Sequence, residues 1–198
     1  MLNRIIGVLR LNVATFEEIE HDESATGQAA IIVAVVAILS AIGGFFGAQT
    51  GNAVMRQLEQ QLGGQGIDPS MMDFAAVSPI GGALGAFFAA FVSWILWSVL
   101  TYLIGTNLFK GQATMGEMLR VLGFAQAPRL LGIFSFIPCL GTLIVLVAAI
   151  WSLVAGFIAV RQGLDIDNTQ TAITVIISWL VAVLVNICVL GPIFALLT

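Results

Sequence analysis

Ala29-Ala30-Ile31-Ile32-Val33-Ala34-Val35-Val36-Ala37-Ile38-Leu39 lies at the heart of a stretch, Gly27 to Ala48, with no charge between Glu23 and Arg56. A helix needs about 20 apolar residues to cross roughly 30 Å of hydrocarbon, so this stretch reads as a membrane span. Three further neutral gaps repeat the pattern. Between Asp73 and Lys110 the window is Ile80 to Ile104, between Arg129 and Arg161 it is Cys139 to Val160, and after Asp167 it is Thr171 to Leu196. Across the 198 residues, 59% are apolar and only 9% charged, with a mean hydropathy of +1.04; soluble domains carry about 25% charged residues. The chain therefore reads as an all-α integral membrane protein, and its net charge of -4 argues against nucleic-acid binding.

The segment from Thr114 to Ile137 is long enough to cross but contains Glu117, Arg120, Pro128 and Arg129. Each charge at a helix centre costs about 2.5 to 3.5 kcal/mol on insertion scales, less near the ends. Pro138-Cys139-Leu140-Gly141 beyond it reads as a tight turn, and a hairpin there requires a partner helix before it. A fifth, irregular span is therefore expected over 114–137. With five spans and the N-terminus inside, Arg4, Arg10, Lys110, Arg120 and Arg161 fall on the inner side, against Arg56 and Arg129 outside or near it. The positive-inside rule thus favours N-in and C-out.

Residues 1–26 form a segment before the membrane domain, which is expected to occupy 27–198. Arg10 and the acidic run after it do not fit a cleavable signal peptide. Leu2, Ile5, Ile6, Leu9 and Val13 recur at helical spacing, which predicts an amphipathic helix lying on the inner leaflet. The stretch from Gln49 to Pro79 is polar and glycine-broken and reads as a loop with a short helical pattern at Met55, Leu58 and Leu62.

Cys139 and Cys188 lie in apolar runs, and neither a disulfide nor a zinc site is implied by two cysteines and one histidine. Glu17, Glu18, Glu20, His21, Asp22 and Glu23 form an acidic run in which Glu17 and His21 share a helix face. Such a set could hold a divalent cation, but Thr15-Phe16-Glu17-Glu18 also has the form of a capping box, and a solvated helix face is the simpler reading. No metal and no cofactor are expected.

Glu117, Arg120, Arg129 and Asn186 are the candidate polar site, because ionisable groups inside a membrane mark function by default. Glu117 and Arg120 stand three apart and can pair. Against this, Thr114-Met115-Gly116-Glu117 is again a capping box, and Arg120 can snorkel. Arg129 follows Pro128, which frees a carbonyl about one turn earlier; the cation could satisfy that carbonyl or bind a lipid phosphate. Asn107 and Asn186 are candidate polar partners that could equally sit at an interface or bond across helices. Small residues recur at Gly43, Gly47 and Gly51, at Gly81 and Gly85, and at Ala155 and Ala159, which suits close helix packing within the monomer or a homo-oligomer seam. No catalytic constellation stands out, so enzymatic function is disfavoured.

Gly111 to Pro128, followed by Ile137-Pro138-Cys139-Leu140-Gly141, resembles the Yip domain family, named from Ypt-interacting proteins. The family element Gly-(Tyr/Phe)-Ala/Ser-x-x-Pro is matched by Gly123-Phe124-Ala125-Gln126-Ala127-Pro128, and Pro138 and Gly141 complete the pattern. The resemblance implies a non-enzymatic five-span protein with a cytosolic N-terminus, and a short member of the prokaryotic plasma-membrane type. Eukaryotic relatives act in membrane traffic with Rab-type small GTPases through a longer N-terminal region, which the short segment here does not match. Two readings follow: a domain that organises membrane lipids or a membrane-protein partner, or a small permease or channel subunit whose polar path is lined by Glu117, Arg120, Arg129 and Asn186.

Overall fold

The structure, a computed structural model, describes residues 1–63, 78–137 and 140–185. The described elements are helical: α1 (Leu2–Leu9), α2 (Val13–His21), α3 (Ala25–Gly63), α4 (Pro79–Phe109), α5 (Met115–Phe124), a 3-10 helix (Ala127–Phe136), α6 (Leu140–Leu164) and α7 (Asn168–Val185). Four of them, α3, α4, α6 and α7, are long and apolar enough to cross a membrane. They carry large apolar side chains on their outer faces, such as Phe46, Phe88, Leu146 and Trp179. That surface suits lipid and would be costly in water.

The helices are cut where the sequence provides local stops. Ser78 caps α4 by accepting the Gly81 N–H at 2.9 Å, Pro79 supplies a first residue that needs no donor, and Lys110 ends the helix in the left-handed region at φ 59°. Asp165, at φ 52°, makes the corresponding break after α6.

Helix α3 runs without interruption through Gln49 to Gly63, so the part of the expected loop from Gln49 to Gly63 is helical. Gln, Glu and Leu are good helix formers, and a polar sequence continuing from an apolar helix costs little to keep helical. The Gly64-Gln65-Gly66 part of the glycine patch lies outside the described residues.

The segment expected as a third, irregular span is two pieces. Helix α5 ends at Phe124, and after Ala125 and Gln126 the chain tightens into the 3-10 helix. Pro128 lacks an N–H, and the Arg129 N–H bonds the Gln126 carbonyl at 2.9 Å instead of continuing the α ladder. Both pieces pack against α3 and α6, with α5 also against α4. Pro138 and Cys139, the centre of the expected turn, lie outside the described residues; the flanking Gly141 N–H reaches the Ile137 carbonyl at 2.7 Å. A Cβ on Gly141 would overlap the Ser135 carbonyl, so the return into α6 requires glycine there.

The core sits where α1 and α2 meet the bundle. Val8, Phe16, Ile19, Ala29, Ile32, Val33, Met118, Val121, Leu122, Phe124, Val160 and Leu164 form one buried cluster. The helix expected over Leu2 to Val13 ends at Leu9, and Leu11 at φ 56° separates it from α2, which takes Val13. Gly7 and Val8 face inward while Leu2, Ile6 and Val13 are exposed. The capping expected at Thr15 falls instead to Asn12, whose side chain accepts the Ala14 N–H at 3.1 Å, so α2 begins at Val13.

Gly44 and Gly82 make a close α3–α4 approach: a Cβ on Gly44 would lie 2.9 Å from that of Ala86, and one on Gly82 would lie 3.0 Å from that of Ala48. Gly43, Gly47, Gly51 and Gly85, the small residues picked out by spacing, have open space beside them. The packed register is displaced by one residue from that stripe on each helix. Ala155 and Ala159 are fully buried and do pack within the bundle.

Candidate functional site

Glu117 is the third residue of α5, and its carboxylate closes a capping box. Its Oε2 accepts the Thr114 N–H at 2.6 Å while its own N–H donates to Thr114 Oγ1 at 3.2 Å. The carboxylate thus meets the positive end of the helix. It does not pair with Arg120. That guanidinium is buried and turned toward the N-terminal segment, donating through Nε (3.2 Å) and Nη2 (2.6 Å) to the main-chain carbonyl of Glu20 and through Nη1 (3.5 Å) to Thr26 Oγ1. Glu20 lies in the last turn of α2, where carbonyls lack helical partners and a cation is favourable.

Charges outside the spans fasten the same junction. Arg4 bridges Glu18 (2.8 Å) and Asp22 (2.5 Å), tying α1 to the end of α2. Hydrogen bonds from Ser24 and then Arg4 hold the Asp22 carboxyl down at about 2. Glu20 moves the other way: burial, reinforced by the charge of Asp165, raises its carboxyl to about 7. His21 Nδ1 lies 2.9 Å from the Glu17 carbonyl oxygen, which engages the imidazole with its own helix. Among the described residues no group of three His, Cys, Asp or Glu side chains could hold a metal ion.

Arg129 is placed differently. Its guanidinium has no hydrogen-bond or ion-pair partner among the described residues, and two cavities meet at it. One, about 310 Å³, lies between α3, the 3-10 helix and α6, with Ser40 and Ser135 on its wall. The other, about 340 Å³, lies between α4, α6 and α7, lined by Ser93, Trp97, Gln126 and Trp179 besides Arg129. Sequence reasoning missed Gln126 and Trp97. Gln126 Oε1 and Trp97 Nε1 are buried without a hydrogen-bond partner among the described residues, a condition that costs roughly 1 to 3 kcal/mol for each group.

The Arg129 side chain donates to no backbone carbonyl at the break among the described residues. The carbonyl that the Arg129 N–H would take in a continuing α-helix belongs to Ala125, and it accepts the Ser152 hydroxyl of α6 at 2.8 Å. Asn107 likewise bonds its own helix, at the Leu103 carbonyl (2.7 Å). Asn186 lies outside the described residues. Glu117 and Arg120 therefore belong to the α2–α5 junction, whereas Arg129 belongs to the two cavities.

Of the family-motif residues, Gly123 admits α3: a Cβ there would lie 2.7 Å from that of Ala29. Trp94 seals the same contact, its Nε1 donating to the Leu119 carbonyl at 3.2 Å. Phe124 is fully buried, and Pro128 opens the 3-10 helix.

Apolar spans packed around a short, broken central segment define a polytopic α-helical membrane protein. The chain belongs to the Yip1 domain family, whose model matches residues 6–190. No curated protein and no solved structure matches it.

Proposed function

We propose that this chain is a non-enzymatic, membrane-organising protein that gathers lipid or a membrane-protein partner. It crosses the membrane five times, with the segment 1–26 inside and the C-terminus outside, in a domain over 27–198. The α5 and 3-10 pieces together make the third crossing, at about 15 and 20 Å for ten residues each. The host is the plasma membrane of a prokaryote. Family membership supports a membrane-associated, non-enzymatic role.

The observation that carries this reading is the Arg120–Glu20 contact. It places α1 and α2 as a platform against the bundle and engages, with the Glu117 cap, two charges that a polar path would need. The permease alternative is correspondingly weaker, since its remaining charged lining is Arg129. Flux assays in reconstituted vesicles test the choice. The organiser predicts the same ion and small-solute leak from vesicles with wild-type protein, with Arg129→Ala and without protein; wild-type flux lost in Arg129→Ala contradicts it.

A further inference from the structure

The cavity between α4, α6 and α7 lies near the middle of α4 and α6. At about 1.5 Å per residue, Trp97 stands about 27 Å from the Pro79 end of α4 and about 18 Å from its Phe109 end. On α6, Leu153 stands about 20 and 17 Å from the two ends by the same rise. A guanidinium at that depth is costly unless something polar meets it.

Three residues with groups of different hydrogen-bonding character line this space: Arg129, whose guanidinium is a cation with several donors; Trp97, whose indole Nε1–H is an enclosed, unpartnered donor; and Gln126, whose Oε1 is an enclosed, unpartnered acceptor. Each is held by the fold. Trp97 has its six-membered ring against Gly156 of α6, where a Cβ would come within 2.5 Å of it. Gln126, 7% exposed, sits at the α5 break that the Ser152–Ala125 hydrogen bond pins. Leu153 and Trp179, both well exposed on the outer surface of the bundle, flank the cavity, which opens it sideways toward acyl chains.

We propose that this cavity binds the phosphodiester headgroup of a membrane lipid that also carries a hydroxyl or ammonium donor. Phosphate oxygens accept from Arg129 and Trp97, and the headgroup hydroxyl or ammonium donates a hydrogen bond to Gln126 Oε1. The acyl chains leave past Leu153 and Trp179. The site gives the lipid-organising reading a named ligand class, and rests on that reading for its depth in the membrane.

The test is native mass spectrometry of the full chain purified from bilayers containing phosphatidylglycerol, which has both phosphate and hydroxyls, and phosphatidylcholine, which lacks a donor. Wild-type protein is expected to retain one phosphatidylglycerol in preference to phosphatidylcholine. Arg129→Gln and Trp97→Phe are each expected to lower that retention about tenfold, with surface Arg161→Gln unchanged. Trp97→Phe removes the Nε1–H and leaves Arg129 in place, so the comparison does not depend on an Arg129 variant that fails to fold. Displacement by millimolar inorganic phosphate assigns the site to a free anion and overturns the lipid proposal. Equal retention of the two lipids, or retention indifferent to both variants, also overturns it. The side on which the C-terminus lies reports the five-span reading separately, so the two can fail independently.

Discussion

Arg120 donates two hydrogen bonds to the backbone carbonyl of Glu20, a residue 100 positions earlier in the chain. The contact joins the helix after the second span to the segment before the first. It lies beside Phe16, Ile19 and Met118, which are fully buried. Removal of the guanidinium leaves the Glu20 carbonyl without its donor, and hydrogen bonds to charged groups contribute about 1.5 to 3 kcal/mol. Arg120→Ala is therefore expected to lower thermal stability in detergent by about that amount and to expose 1–26 to limited proteolysis. Unchanged cleavage would show that the N-terminal helices are held by apolar contacts alone.

Gly123 presents the opposite problem, too little room. Its hydrogen faces Ala29, and the added methyl of Gly123→Ala must push α3 away from α5. Overpacking of this kind costs about 1 to 3 kcal/mol. Gly85→Ala, where the space is open, is expected to be neutral or slightly stabilising, because alanine is the better helix former. Paired melting curves of the two variants check the contrast.

The Ser152 hydroxyl serves the carbonyl released at the α5 break. Ser152→Ala removes the donor from a buried acceptor and is expected to cost about 1 to 3 kcal/mol. Ser152→Thr keeps the hydroxyl, and recovery of the melting temperature in that variant separates the hydrogen bond from simple packing.

The raised carboxyl of Glu20 has a pH consequence with a definite sign. The folded chain holds the proton up to about pH 7, whereas the unfolded chain releases it near 4.5. Between those values the folded state binds more protons, so stability falls as pH rises through the window and levels off above it. Glu20→Gln is expected to flatten stability between pH 4.5 and 7. A slope unchanged by the substitution would assign the pH dependence to another group.

The long apolar runs made four of the spans readable, because hydrocarbon thickness sets a length that composition alone can meet. The Thr114–Glu117 cap was legible for the same kind of reason: a local motif acts within four residues. Arg120 was not, since its acceptor is a carbonyl on a segment that only tertiary packing brings near. The glycine stripe at Gly43, Gly47 and Gly51 misled because spacing identifies a face and leaves open which face the neighbour uses; Gly44 and Gly82 are the residues in contact. Gln126 and Trp97 passed unnoticed because an uncharged amide and an indole carry no signal until burial leaves them unpartnered.

The proposed domain crosses the membrane five times, and its third crossing carries Arg129 into the membrane. A reporter fused after Thr198 and active on only one side of the membrane tests it most directly. Five crossings put the activity on the outer side, opposite to an N-terminal fusion. Activity on the inner side would mean an even number of crossings and would rule out the five-span arrangement.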